Sequence, residues 1–151
     1  MEQPRIRPLA ICICRDGDRI LVAEYFDSVK SETFYRPLGG AIEFGERGAE
    51  TVTRELREEL GAEVRNIGYL GTIENLFTHE GQPGHEIVLV YDGKLVDKSL
   101  YARGFLDGVE DGNAPFKAVW RTLAGFRETG DRLYPDGLLE MLTRRGVPCA
   151  G

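Results

Sequence analysis

Residues 39–62, GGAIEFGERGAETVTRELREELGA, decide how the chain reads. In the second half of the stretch Ala49, Val52, Leu56 and Leu60 recur at intervals of three or four residues, the stripe of an amphipathic helix. Gly61 then serves as a C-terminal stop. At about 100° per residue, Glu58, Glu55 and Glu59 fall within a sector of roughly 100° beside that stripe. Burying the stripe therefore sets three carboxylates at the edge of the core, facing a common point. Like charges at i, i+4 repel, and Arg54, four residues before Glu58, offsets part of that repulsion. Two readings compete: a solvated acidic face, or a site for a hard divalent cation such as Mg²⁺, which takes its ligands from carboxylates and substrate phosphates.

The spacing decides between them. Gly40 is followed after five residues by Glu46, then after seven by Arg54-Glu55-Leu56, then Glu58-Glu59 and Gly61. A chance match to this pattern is on the order of one in a hundred thousand. It resembles the signature of the Nudix (MutT-like) hydrolase family, complete at every charged and glycine position. Weaker similarity runs over most of the chain, through an N-terminal hairpin, a strand bearing Trp120 and a final helix.

The resemblance implies an α/β fold, an α/β/α sandwich with a central mixed β-sheet and a loop-helix-loop catalytic motif. It implies Mg²⁺- or Mn²⁺-dependent hydrolysis of the pyrophosphate linkage in a nucleoside diphosphate derivative, such as a nucleoside triphosphate or a nucleoside-diphosphate sugar. Carried over by position, Glu58 and Glu59 match the principal metal ligands and Glu55 a further ligand or base. Gly39 matches a position whose carbonyl often coordinates metal. Arg54 would orient the carboxylates through charge-assisted hydrogen bonds, and Glu46 would brace the loop against the helix. Many members add a carboxylate from a loop ahead of the Trp-bearing strand. Glu110 and Asp111 are the candidates here, with Glu86 a rival whose competing reading is an exposed edge residue.

There are departures from the family pattern. Ala62 stands where a bulky aliphatic is usual, which bears on packing more than on chemistry. Pro37-Leu38-Gly39-Gly40 replaces the common Pro-Gly-Gly. The window Asn75–Glu80 lacks the proline or tyrosine that marks ADP-ribose or diadenosine polyphosphate subfamilies, so hydrolysis of ADP-ribose or a dinucleotide polyphosphate is the alternative reading. A non-catalytic nucleotide-sensing module is the alternative from another class, although such domains often lose box glutamates that this chain retains. Tyr35, Phe77 and Tyr91 could stack on a nucleobase or belong to the sheet core. Arg36 could meet a phosphate or form a surface ion pair.

The bulk properties fit this frame. At 151 residues the chain is expected to form one domain over 1–151, with a core that needs no staples. The net charge of −6 argues against a nucleic-acid polymer as partner. No apolar run is long enough to span a bilayer, and no N-terminal segment has the form of an export signal. Three cysteines suit a reducing, cytoplasmic setting. Cys12 and Cys14 share a strand face as buried thiols, and Cys149 lies in the tail. The expected partner is a nucleotide-type small molecule, with a homodimer as the candidate assembly.

Along the rest of the chain, residues 6–14 and 19–25 predict a hairpin turned by Arg15-Asp16-Gly17-Asp18. TFYRPLGG predicts a short strand entering a glycine turn. VRNIGYLGTIENLF, HEIVLVYDGKLV and FKAVWRTL predict further strands, and the glycine-rich YARGFLDGVEDGNA a loop. YPDGLLEMLTRRG predicts a closing helix with Pro135 near its start and Gly146 just past its end.

Overall fold

The apolar runs of the N-terminal hairpin are buried on both faces, and this sets the layering. The computed structural model describes residues 3–144, without the side chain of Asp111. Strand β1 (Ile6–Asp16) turns tightly into β2 (Arg19–Asp27). Alternate residues of β1 point to opposite sides. Ala10, Cys12 and Cys14 join one core, and Leu9, Ile11 and Ile13 join the other. In β2, Leu21 and Ala23 face the first core while Ile20 and Val22 face the second.

Helix α1 (Gly48–Leu60) covers the first face through Val52 and Leu56. Helices α2 (Leu123–Thr129) and α3 (Leu138–Arg144) cover the second through Phe126, Leu138 and Leu142. Between these layers lie β3 (Glu32–Ala41), β4 (Val64–His79), β5 (Gln82–Leu95), β6 (Phe105–Val109), β7 (Pro115–Thr122) and the short β8 (Arg132–Leu133). The strand order is β4-β5-β1-β3-β2-β7-β6, with β8 beside β3. The pairs β1–β5 and β3–β8 are parallel and the others antiparallel, so the sheet is mixed. This is the expected α/β sandwich.

Helix α1 ends as its sequence dictates. Gly61 takes a left-handed conformation (φ 64°) and its N–H donates to the Arg57 carbonyl, while Ala62 N–H reaches back to Leu56. This pair of bonds is a Schellman cap. Ala62 then tucks into the core below the helix, where a larger side chain is usual.

Several expectations need correction. Gly39 and Gly40 make no turn: β3 runs through them to Ala41, paired with Ile11 and Ala10 of β1. The stretch 101–114 is not all loop, because β6 pairs along β7 with Leu106 and Gly108 facing inward. Gly108 is there for packing, since a Cβ would sit 2.4 Å from the Phe116 ring. The edge reading of Glu86 fails as well, because β5 lies between β4 and β1 and the residue is 4% exposed. Helix α2 has no counterpart in the sequence reading, and α3 begins at Leu138, after a cis Tyr134–Pro135 peptide. Gly146 and Cys149 lie outside the described residues.

Cys12 and Cys14 are buried free thiols with their sulfurs 3.8 Å apart. The hydrogen bond with Cys14, then burial, pushes the Cys12 pKa up, so neither chemistry nor exposure marks this pair as reactive. Among the described residues, no helix is long and apolar enough to cross a membrane.

Candidate active site

One arginine organises the acidic helix. Arg54, on the second turn of α1, donates to both oxygens of Glu46 (2.8 and 3.0 Å), to Glu55 (2.9 Å), to Glu58 (3.2 Å) and to the Ala41 carbonyl (3.0 Å). Its planar fork of donors can hold several acceptors at once, which a lysine could not do. Glu46 also accepts from the Thr51 hydroxyl at 2.6 Å and from the Glu43 N–H, so the loop before α1 is tied to its first turns. The Arg54 hydrogen bond, ahead of that from Thr51, holds the Glu46 carboxyl down at about 2. Arg54 is correspondingly raised, chiefly by Glu46.

The box glutamates separate in space. Glu55 is 6% exposed and lines a polar pocket with Glu59, Gly39, Gly40 and Glu110. Gly40 is required by space, since a Cβ would fall 2.5 Å from the Glu55 carboxyl. At Gly39 (φ 153°) a Cβ would meet the Ala10 carbonyl oxygen at 2.1 Å. Glu58 instead stays half-exposed on Arg54, outside the lining of this pocket. Glu110 arrives from the segment between β6 and β7 and accepts a short hydrogen bond from the Tyr25 hydroxyl.

Glu59 carries the strain of this arrangement. Burial, then the charges of Glu55 and Glu110, push its carboxyl up to about 8, against partial relief from the Gly39 N–H and Arg36. Its Oε1 is buried without a hydrogen-bond partner among the described residues.

The polar pocket opens into a larger cleft of about 310 Å³. Tyr25, Arg7, Arg36 and Glu110 line both cavities and mark the junction. The cleft is walled by aromatic rings: Phe34 stacks on Tyr25 (5.4 Å between centroids) and meets Tyr134 edge-on (5.3 Å), and Phe77 lies 6.3 Å from Tyr134. Asp27, Lys30, His79 and the buried Asn75 and Glu86 also line it.

Residues 4–124 match the NUDIX domain family. The chain belongs to the Nudix hydrolase family. It is 33% identical over 111 residues to the NAD-capped RNA hydrolase NudC of Mycobacterium tuberculosis, and 42% identical over 111 residues to that of Mycobacterium bovis. Each match takes in 68% of this chain but 34% of the relative, so the chain spans about a third of the length of these curated relatives. The fold is similar to a Nudix hydrolase from Nitrosomonas europaea, with TM-score 0.65 and 15% identity over 94% of this chain and 89% of that one. A MutT Nudix hydrolase from Burkholderia pseudomallei gives TM-score 0.58 and 20% identity over 82% and 87%.

The Nudix box thus occupies the end of β3, the loop and α1, and sequence-derived candidates fall on both sides of its pocket. Phe77, Arg36 and Glu86 line the cleft. Tyr35 does not: it is buried in the second core, edge-on to Phe126, with its hydroxyl on Glu24. Strand alternation sends its neighbour Phe34 into the cleft instead. Tyr91 packs under α1 against Gly48, as core. The side chain of Asp111 lies outside the described residues. Sequence reasoning missed Arg7, Tyr25, Phe34, Asn75 and Tyr134. Arg7 had a signal, as a charged residue on the same strand face as Leu9 and Ile11; Tyr134 had none.

A divalent metal ion, which the family typically uses, fits this donor set by chemistry. The carboxylates of the pocket are hard oxygen donors, and the buried Glu59 Oε1, unpartnered among the described residues, is a position a cation would satisfy. Among the described residues, however, no three acidic, His or Cys side chains are gathered into a ready-made cage. Arg54 pairs with Glu55 and Glu58, and Glu58 stays outside the pocket lining.

A pH dependence follows. Between the ordinary glutamate value and about 8, the folded protein holds a proton on Glu59 that the unfolded chain releases. Stability should therefore be highest below that window and fall as pH rises through it, by up to about 1.4 kcal/mol per pH unit. Glu59→Gln should flatten the fall, giving a variant more stable than wild type at about pH 8.5 and little different near pH 4. Urea unfolding at a series of pH values reads this directly; parallel curves for the two proteins would contradict it.

Proposed function

We propose that this chain hydrolyses the pyrophosphate linkage of a nucleoside diphosphate derivative, a nucleoside triphosphate or nucleoside-diphosphate sugar, with Mg²⁺ or Mn²⁺. One observation carries the reading: the carboxylate pocket and the aromatic cleft share a wall at which two arginines stand. A nucleotide needs three environments in that order, and a diphosphate joins its two ends.

In this reading Glu55 and Glu59 would hold the cation with the Gly39 carbonyl, Glu110 would supply a further oxygen, and Glu58 would join them by swinging off Arg54. Bound there, the ion would neutralise phosphate charge and lower the pKa of a coordinated water. Arg54 hydrogen-bonds both Glu55 and Glu58. Arg36 would bind phosphate oxygens through charge-assisted hydrogen bonds, and Phe34 and Phe77 would give the base a stacking surface. Tyr25 fixes Glu110 by its hydroxyl.

A second reading has a specific support. The NudC relatives act on NAD-capped RNA by name, and NAD is a dinucleotide with a pyrophosphate bridge. Dinucleotide pyrophosphates therefore belong in any substrate panel, beside ADP-ribose.

Metal and nucleotide should stabilise the fold together. The unfolded chain scatters the glutamates, so ligands that bind only the native state raise its stability, by about 2.7 kcal/mol at a hundred times the dissociation constant. Mn²⁺ with a non-hydrolysable nucleotide should raise the melting temperature of wild type and of Glu140→Gln, an exposed change on α3. Glu59→Gln should lose most of the shift. Equal loss in Glu140→Gln would reduce the effect to charge screening.

A further inference from the structure

The aromatic cleft contains a polar row that the hydrolytic chemistry leaves unused. Asn75 on β4, Glu86 on β5 and Arg7 on β1 are register partners across three neighbouring strands, so their side chains share one face. The next row on that face is Ile73, Val88 and Leu9, all apolar. Asn75 is 3% exposed and Glu86 4%. Burying an amide and a carboxylate there costs several kcal/mol unless both are well bonded.

Within the protein they are not. Asn75 Nδ2 donates to Glu86 Oε1 at a long 3.4 Å, and Arg7 stands 3.9 Å from Glu86 Oε2. Among the described residues, Asn75 Oδ1 has no hydrogen-bond partner. The amide is oriented with Nδ2 towards the Glu86 carboxyl, whose Oε1 accepts. That leaves Oδ1 as a second, unpartnered acceptor in a row with Glu86. Apolar residues of similar volume would pack this face at less cost.

Two adjacent acceptors call for two adjacent N–H donors, and the Arg7 guanidinium beside them calls for an acceptor next in line. Among the nucleobases, guanine has that edge: N1–H and the 2-amino group side by side, with O6 following. Uracil and thymine flank their one N–H with carbonyls. Adenine and cytosine place a ring-nitrogen acceptor beside the amino group. Phe77 lies across Gly84, where a Cβ would come within 2.3 Å of the ring, and so presents an aromatic surface next to the row.

We propose that Asn75 and Glu86 read the donor edge of a guanine base, with Arg7 at O6, so that guanine nucleotides are the preferred substrates. This rests on the reading of the cleft as the nucleotide site of a pyrophosphohydrolase. The test is equilibrium binding of GMP, IMP and AMP to the full chain in the presence of a chelator, which removes the metal from the question. GMP should bind about tenfold or more tighter than IMP, which lacks only the 2-amino group, and than AMP. Glu86→Gln and Asn75→Leu, which keep side-chain volume, should each reduce that ratio to about threefold or less. GMP binding no tighter than IMP and AMP, or discrimination retained in both variants, overturns the proposal. Failure of the functional reading is distinct: it would show as GMP discrimination with no hydrolysis of any nucleotide once Mg²⁺ is supplied.

Discussion

Glu59→Gln is expected to lose nearly all turnover, by roughly a thousandfold or more, while the fold stands. The substitution keeps volume and removes a charge that the folded state disfavours, since burial and the charges of Glu55 and Glu110 already hold the carboxyl towards its neutral form. Stability near neutral pH should therefore hold or rise. The loss falls on catalysis, because several kcal/mol of transition-state charge stabilisation go with a metal ligand. Glu58→Gln should do the same by another route. Its carboxylate is half-exposed and, among the described residues, paired with Arg54 alone at 3.2 Å, so the fold gives up one weak surface ion pair. Steady-state rates at saturating Mg²⁺, beside far-ultraviolet spectra, check both. Full activity in either variant removes that residue from the proposed ligand set.

Leu56→Ala is expected to cost roughly 2–5 kcal/mol of stability, the range for truncating a fully buried leucine. Leu56 has no exposed surface and shares the first core with Ala10, Cys12, Leu21 and Val52. Sheet and helix backbones enclose the space, so little of it can collapse. The melting temperature should drop by about 4–20 °C for a chain of this size. A melting curve indistinguishable from wild type would mean that α1 presents another face to the sheet, and its carboxylates with it.

Much of α1 could be read in advance because two constraints coincide there. A 3.6-residue apolar period fixes which face is buried, and the charged residues between those positions must then sit at its edge. Glu55 and Glu59 followed; Glu58 did not, because Arg54 holds it outward, and a helical wheel carries no information on side-chain pairing. The strands of the sheet were legible from apolar runs and turns, with β6 lost where glycines chosen for packing resembled a loop. Helix α2 is seven residues long, too short for a period to show. The cleft was the least legible part. Phe34, Asn75 and Tyr134 come from three separate elements, and only strand register and the path of the chain after β8 bring them together. Tyr35 illustrates the sensitivity: one position along β3 separates cleft from core.

The most direct test of the central claim is the fate of solvent oxygen during turnover. The chain would be incubated with Mg²⁺ and a panel of nucleoside triphosphates, nucleoside-diphosphate sugars, ADP-ribose and dinucleotide polyphosphates, in water enriched in heavy oxygen, and the products weighed by mass spectrometry. The account predicts cleavage within the phosphate chain of at least one class, with one heavy oxygen on one product phosphate. The activity should be lost in Glu59→Gln and kept in Glu140→Gln. No cleavage across the panel by the wild-type chain, or equal cleavage by Glu59→Gln, would contradict it.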